Sequence, residues 1–164
     1  PIVVPSQDIV LGCYYVTKER LGAPGEGRAF FGPEEVRMAY DNGEIGLHTK
    51  IQVRWLGKRI ETTVGRTFFN QIIPEKMGYV NKVMTKKELG KLVASIHKKL
   101  SLDETVRFLD DLKATGFSFA TRGGLTVAIE DMKIPEEKTV MIANAKVEVA
   151  GIEEQYQAGV ITDC

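Results

Sequence analysis

The chain has 164 residues, of which 43% are hydrophobic and 27% charged, and its 22 basic and 22 acidic side chains leave no formal net charge. This composition is typical of one folded domain, and it lacks the basic excess that supplies most of the affinity of a free-standing nucleic-acid-binding protein. Two widely separated cysteines argue against a disulfide framework or a zinc site and favour a reducing cytoplasm, and no apolar run approaches the ~20 residues of a membrane span.

The first third of the sequence predicts two short helices joined by a loop. Ser6 is expected to cap a helix over residues 7–15 by accepting a backbone N–H hydrogen bond. Residues 22–27 contain three glycines and one proline, which discourage any regular element. Pro33 is favoured in the first turn of a second helix, which continues to about residue 40.

The middle of the sequence predicts a β-hairpin followed by a short helix. Residues 51–55 alternate between apolar and polar side chains, which indicates a half-buried strand. A glycine-containing turn follows, and residues 60–64 return as an antiparallel strand. An apolar run over residues 68–73 is interpreted as a helix that ends before Pro74.

Two capping boxes introduce the helices of the second half. Residues 85–88 open a helix that runs to about residue 100, and residues 101–104 open another that Gly116 is expected to stop. Residues 126–130 alternate and predict a further strand. Residues 135–158 form the last predicted helix, which is ~35 Å long at 1.5 Å per residue.

The last helix has an apolar stripe at helical spacing, and its length suggests that it projects from the domain. We therefore expect an α+β fold with a small antiparallel sheet, several helices and a long projecting C-terminal helix. The residues of the stripe are Met141, Ala145, Val149, Ile152 and Tyr156.

No self-sufficient catalytic or metal site is predicted. His48 and His97 have no spaced His, Cys or carboxylate companions of the kind that metal sites use. His48 is interpreted as a local hydrogen-bond partner and His97 as a solvated residue of a lysine-rich helix face. The serines lack the context of a nucleophile elbow.

Two short polar motifs leave alternatives open. Arg122 precedes two glycines, so the turn could present a guanidinium and backbone N–H groups to an anion, or it could simply join two elements. Gln7 and Asp8 at a helix start could contact a nucleotide, or they could be ordinary polar residues of a first turn. An independent anion-binding protein or small enzyme built on the Arg122 turn is the alternative from another functional class.

Literal strings in the sequence resemble the largest (β′) subunits of bacterial RNA polymerases. The run PIVVPSQDIVLGCYY opens the chain, and further matches follow in the family's order over essentially the whole chain. They are Leu47-His48, TTVGR at 62–66, Phe69-Asn70, LKATGF at 112–117, ATRGG at 120–124, IEDMKIP at 129–135 and QYQAG at 155–159.

The resemblance implies a place in DNA-templated RNA synthesis. Residues 1–134 resemble the pore, or secondary-channel, domain of the subunit, and residues 135–164 resemble the first helix of the helical hairpin at its rim. Nucleoside triphosphates are expected to enter through this channel and backtracked RNA to leave through it. The implied partners are the β, α and ω subunits, sigma factor, template DNA and RNA.

The resemblance assigns no catalytic or metal-ligating residue to this sequence. The Mg²⁺ ligands of the family lie in an aspartate-rich loop that this sequence lacks, so the chain alone is expected to be inactive. Gln7, Asp8, Arg66 and Arg122 are predicted to lie near the substrate, with packing left open for the two arginines. The last helix could instead dock secondary-channel transcription factors through Met141, Val149, Ile152 and Tyr156.

Overall fold

The computed structural model describes residues 4–162, and its contacts divide the chain into two compact units. The units are Pro1–Leu125 and Thr126–Cys164. The boundary between residues 134 and 135 that the family resemblance implies, between the pore domain and the rim helix, stays a prediction. The fold is α+β, as predicted, with six helices and three strands in the described part. In chain order these are α1 (Gln7–Thr17), β1 (Ala29–Phe30), α2 (Pro33–Asp41), β2 (Lys50–Trp55), β3 (Lys58–Thr63), α3 (Val64–Asn70), α4 (Lys86–Lys99), α5 (Leu102–Arg122) and α6 (Lys138–Gln157).

The close packing of α1 on α5 organises the first unit. A Cβ atom on Gly12 would lie 1.8 Å from the carbonyl oxygen of Gly116, and one on Gly116 would lie 2.8 Å from the Cα of Ile9. Tyr15 in turn contacts Gly123, so the contacts advance together and the two helices run in the same direction. The predicted helix stop at Gly116 is therefore wrong. This glycine lies inside α5 because the neighbouring helix approaches too closely for a side chain.

The sheet has the order β1-β2-β3 and is mixed. β2 and β3 form the predicted antiparallel hairpin, with Ile51 opposite Thr62, and Leu56 and Gly57 both adopt positive φ in its two-residue turn. β1 pairs in parallel with β2, so the expectation of a purely antiparallel sheet is wrong. A strand of two residues is too short to show any periodicity in the sequence.

The core of the first unit lies between the sheet and the helices. Its largest fully buried apolar side chains come from β2, from helices α1 to α5 and from the segment before α4, and they form one cluster. They are Phe69, Phe108, Ile51, Met84, Leu89, Ile96, Leu112, Val16, Val36, Val53 and Val64.

Three further local predictions are corrected by the structure. Ser6 precedes α1 but makes no side-chain capping hydrogen bond. The hydroxyl of Thr85 accepts from the backbone N–H of Glu88, but the Glu88 carboxylate pairs with lysines instead of completing a capping box. Residues 126–130 form no strand. They lead into a single 3-10 turn, and Val127 and Ile129 are exposed; within residues 4–162 no strand pairs with this segment.

The second unit is dominated by α6, which has no buried residue. The predicted stripe residues Met141, Val149, Ile152 and Tyr156 are exposed by 68, 56, 50 and 51%. Val140 is also exposed, and it lies on a different face from the stripe. The helix therefore presents apolar side chains to solvent in more than one direction.

Candidate functional site

Gln7 and Asp8 lie at the exposed N-terminal end of α1. Gln7 has a φ of 48°, in the left-handed region that residues other than glycine rarely adopt. Its side chain is exposed at the first position of the helix. Asp8 occupies the first turn, where its carboxylate is favoured by the positive end of the helix dipole.

The opposite end of α1 is held by the TTVGR motif. A Cβ atom on Gly65 would lie 1.8 Å from the carbonyl oxygen of Val16, so only glycine permits this approach of α3 to α1. The backbone N–H of Gly65 also donates to the carbonyl of Leu47 over 2.8 Å. Thr63 caps α3 by accepting from the backbone N–H of Arg66 over 3.2 Å.

Arg66 uses its guanidinium within the fold. Its Nε donates to the carbonyl of Thr17 over 3.0 Å, and its Nη1 donates to Oδ1 of Asn81 over 3.2 Å. The carboxylate of Glu19 lies 3.7 Å away, and the Arg66 side chain is only 11% exposed. These contacts join the end of α1 to the segment after α3. Packing is therefore established for Arg66, and a nucleotide contact stays a prediction.

A satisfied polar network continues from Arg66 towards the hairpin. Thr62 is hydrogen-bonded to the Tyr79 hydroxyl over 2.9 Å and donates to Oδ1 of Asn81 over 3.0 Å. The Asn70 amide bonds both backbone groups of Val80. Burial raises the pKa of Tyr79, so the phenol is neutral at pH 7. In the described part of the chain, no fully buried side-chain N or O atom lacks a partner.

Sequence reasoning missed most of this network. Asn70 was included only in a matched string, and neither Tyr79 nor Asn81 was singled out. These residues are brought together by the fold of the segment after α3, and no spacing in the sequence indicates that arrangement.

Arg122 belongs to a different cluster. It ends α5, and its guanidinium carbon lies 5.7 Å from the ring centroid of Tyr40 and 5.6 Å from that of Phe119. Gly124 follows with a positive φ of 61°. The hydrogen bonds and ring contacts do not join Arg122 to Gln7 or Arg66 in the described part of the chain. The four predicted substrate-proximal residues thus lie in three separate local environments.

Comparison with known proteins identifies the family. The family model described as RNA polymerase Rpb1, domain 3, matches residues 1–132. The chain belongs to this family. The prediction of membership made from the matched strings is confirmed.

Curated relatives extend the match to nearly the whole chain. A DNA-directed RNA polymerase subunit β′ of Pelotomaculum thermopropionicum is 48% identical over 99% of the chain, and one of Desulforamulus reducens is 44% identical over 99%. A β′ subunit of Neisseria gonorrhoeae is also 44% identical over 99% of the chain. The chain spans 13–14% of the length of these β′ relatives.

The ionisable residues of this Rpb1-family chain do not assemble a metal site in its described part. Among residues 4–162, no group of three or more His, Cys, Asp or Glu side chains could hold a metal ion, so the residues present do not fit a Mg²⁺ site. His48 Nδ1 is hydrogen-bonded to the Lys18 carbonyl over 3.2 Å, so the expected hydrogen bond is present, although its partner lies 30 residues earlier in the chain. Burial lowers the pKa of His48, and His97 is exposed as predicted.

Two further properties of the described residues concern the reactivity of the cysteine and the character of the helices. Cys13 is buried in the core, and burial raises its pKa to about 12, so its sulfur stays protonated at neutral pH. Within residues 4–162, none of the helices combines the length and apolar character needed to cross a bilayer.

Proposed function

We propose that this chain forms part of the wall of the secondary channel in a DNA-directed RNA polymerase. Nucleoside triphosphates would reach the active centre through this channel, and backtracked RNA would leave through it. The chain would act as a scaffold and would not catalyse RNA synthesis by itself. The relationship to β′ subunits over 99% of the chain supports this role.

The single observation that carries the proposal is the geometry of α1. Its middle is fixed against α5 at Gly12, and its C-terminal end is fixed by Gly65 and Arg66. Its N-terminal end presents Gln7, an exposed residue with a strained positive φ. Strained backbone is often retained where it positions a functional side chain. A rigid helix that presents one polar end suits a channel wall beside a reaction centre.

The proposed contribution of Gln7 is hydrogen bonding without proton transfer. Its amide can donate and accept at once, so it can position a nucleotide or a neighbouring side chain. Asp8 would position donors at the same helix end. The two Mg²⁺ ions of the parent enzyme would supply activation of the RNA 3′-hydroxyl and stabilisation of the leaving pyrophosphate, with ligands from residues outside this sequence.

Assembly is part of the same proposal. The β, α and ω subunits, sigma factor, template DNA and RNA would be partners through the complete enzyme. A cytoplasmic location follows from that assignment. Arg66 would support the wall through its packing, and Arg122 would support it from the end of α5.

The proposal is tested in a polymerase whose β′ subunit carries this sequence with Gln7→Ala. Loss of one neutral hydrogen bond is expected to slow single-nucleotide addition about 2- to 12-fold, because such a bond contributes about 0.5–1.5 kcal/mol. Rapid-quench measurement of nucleotide addition on a fixed scaffold gives the rate. Subunit assembly, followed by size-exclusion chromatography, should be unchanged.

Gln157→Ala is the matched control, since it removes the same amide from an exposed position at the end of α6. It should leave the nucleotide-addition rate at the wild-type value. Wild-type addition by Gln7→Ala, or an equal slowing by both variants, would remove the assignment of Gln7.

A second candidate function is favoured by the exposure of α6. The apolar side chains of Met141, Val149, Ile152 and Tyr156 lie at helical spacing, and each is at least half exposed. Exposed apolar surface of this kind is typical of interaction sites. We propose that α6 also docks transcription factors that enter the secondary channel, such as transcript-cleavage factors. This function can coexist with the wall because it uses the second compact unit.

A further inference from the structure

The outer face of the β2–β3 hairpin carries a groove that the proposed function does not use. Its volume is about 450 Å³. It lies on the side of the hairpin opposite to Ile51 and Val53, which are buried in the core. The residues that line it are Ala29, Phe30, Phe31, Arg54, Gly57 and Arg59.

Two arginines of this groove lie next to each other on paired strands without a compensating acid. Arg54 and Arg59 are direct cross-strand partners, so their side chains project from the same face. Both are exposed, and no carboxylate of the described residues lies within 4.0 Å of either guanidinium. Like charges directly opposite each other destabilise a hairpin. The pair therefore concentrates positive charge at one place on a chain with no net charge.

An exposed aromatic ring stands beside the arginine pair. Phe31 is 80% exposed, although it is one of the large apolar residues of the chain. The Arg54 guanidinium carbon lies 5.3 Å from its ring centroid, which brings charge and ring together. The backbone N–H of Phe31 donates to the carboxylate of Glu35, and this bond anchors its backbone at the start of α2. The ring is thus a pre-positioned surface with a large accessible area.

We propose that this groove binds single-stranded nucleic acid. A phosphate would be held by the guanidinium groups of Arg54 and Arg59, since planar guanidinium donors match phosphate oxygens. An adjacent base would stack on Phe31. Aromatic rings beside a positively charged groove are the usual basis of sequence-independent binding to single strands. An acidic protein segment could pair with the two arginines, but it has no planar base to stack on the ring of Phe31.

This site is independent of the channel-wall function. It includes none of Gln7, Asp8, Arg66 and Arg122, and the hairpin tip that carries it is formed by Leu56 and Gly57. Failure of one assignment therefore leaves the other intact.

The test is fluorescence anisotropy of the 164-residue chain with a labelled oligouridylate of about ten nucleotides, a length within the roughly 4–16 nucleotides of known single-strand sites. The double variant Arg54→Gln/Arg59→Gln is expected to lower affinity about tenfold or more at low salt. It should also reduce the slope of log affinity against log salt by about 0.7, because the two arginines together hold one phosphate and each neutralised phosphate on a single strand contributes about 0.7.

Phe31→Ala separates stacking from charge. It should lower affinity for oligouridylate about fivefold or more, in line with measured base–aromatic stacking. It should leave affinity for an abasic oligomer of the same length unchanged. The salt slope of this variant should equal that of the wild type, because no phosphate contact is removed.

Lys98→Gln/Lys99→Gln is the charge-matched control at the end of α4. It should bind oligouridylate as the wild type does, and circular dichroism should show that all variants keep their helix content. Equal loss in the lysine and arginine variants would show diffuse charge attraction and overturn the site. Absence of binding by the wild-type chain, or displacement of the oligomer by polyglutamate at equal charge concentration, would overturn it as well.

Discussion

At the scale of single residues, the contact between α1 and α5 depends on two glycines, which have no side chain to keep the helices apart. A Cβ atom on Gly12 would meet the carbonyl oxygen of Gly116 at 1.8 Å, and backbone atoms on a packed helix cannot move aside cheaply. We expect Gly12→Ala to lower the free energy of unfolding by about 3 kcal/mol or more, at the upper end of overpacking costs. Urea denaturation followed by circular dichroism measures the change.

Gly90→Ala provides a matched control within α4. The nearest atom to its Cβ position outside its own helix is a Val4 methyl carbon at 3.9 Å, which is an ordinary contact. Alanine should therefore raise the free energy of unfolding by about 0.5–1 kcal/mol through its better helix propensity. Destabilisation of equal size in both variants would contradict the close helix contact.

Residue-level predictions from the sequence succeeded where a single side chain sets its own surroundings. The exposure of His97 was predicted in this way and is confirmed. The hydrogen bond expected of His48 is also present, but its partner is the carbonyl of Lys18, 30 residues earlier in the chain. The role of Gly116 was not, because it depends on Ile9 more than 100 residues earlier in the chain. A glycine in a packed helix contact and a glycine that ends a helix look the same in one sequence.

At the scale of elements, α5 begins with a complete capping box. The Ser101 hydroxyl accepts from the backbone N–H of Glu104 over 3.2 Å, and the Glu104 carboxylate accepts from the Ser101 backbone N–H over 3.1 Å. We expect Ser101→Ala to lower the free energy of unfolding by about 1 kcal/mol. Thermal and urea unfolding at neutral pH measure this. Ser118→Ala, at an exposed position inside α5, should cause no loss.

The loss of unfolding free energy caused by Ser101→Ala should also depend on pH. The Ser101 backbone N–H, then its hydroxyl and then Lys76 lower the pKa of Glu104 from its ordinary value of 4.5. A lowered folded-state pKa contributes stability above the unfolded-state pKa, and that stability is lost as pH falls through the folded-state value. The difference between wild type and Ser101→Ala should therefore shrink below pH 4.5. A constant difference down to strong acid would contradict the bond between hydroxyl and carboxylate.

The elements that the sequence predicted are those with their own local signals. The β2–β3 hairpin and the Ser101 box were predicted from alternation and capping residues, and the structure contains both. β1 has only two residues and exists because β2 lies beside it. Residues 126–130 have the alternation of a strand, but no strand in the described part of the chain pairs with them, and alternation alone does not supply a partner.

At the scale of the whole molecule, family membership was the most complete prediction. It depended on many strings in a fixed order, and the relatives at 44–48% identity confirm it. The matched strings could not show whether Gln7, Arg66 and Arg122 contact a nucleotide or only pack within the fold. A residue can match the family's sequence for either reason. The structure shows the packing of Arg66 directly, and it shows Gln7 exposed at the N-terminal end of α1.

The last prediction concerns the exposed helix of the second unit. If α6 docks a transcript-cleavage factor, Met141→Glu/Ile152→Glu in the polymerase should weaken factor binding about tenfold or more, because charge would replace the central apolar contacts. Surface plasmon resonance with immobilised polymerase measures the affinity. Factor-independent nucleotide addition should stay at the wild-type rate, which separates docking from the function proposed for Gln7.

Ala143→Glu/Ala150→Glu adds the same two charges to α6 on the side away from the stripe. This control should bind the factor with wild-type affinity, so that any loss in the first variant reflects the position of the charges rather than their number. Equal weakening by both variants would indicate a general electrostatic effect. Unchanged binding by both would remove the stripe as a docking surface, because two buried carboxylates without partners cannot be accommodated in an apolar interface without a large loss of affinity.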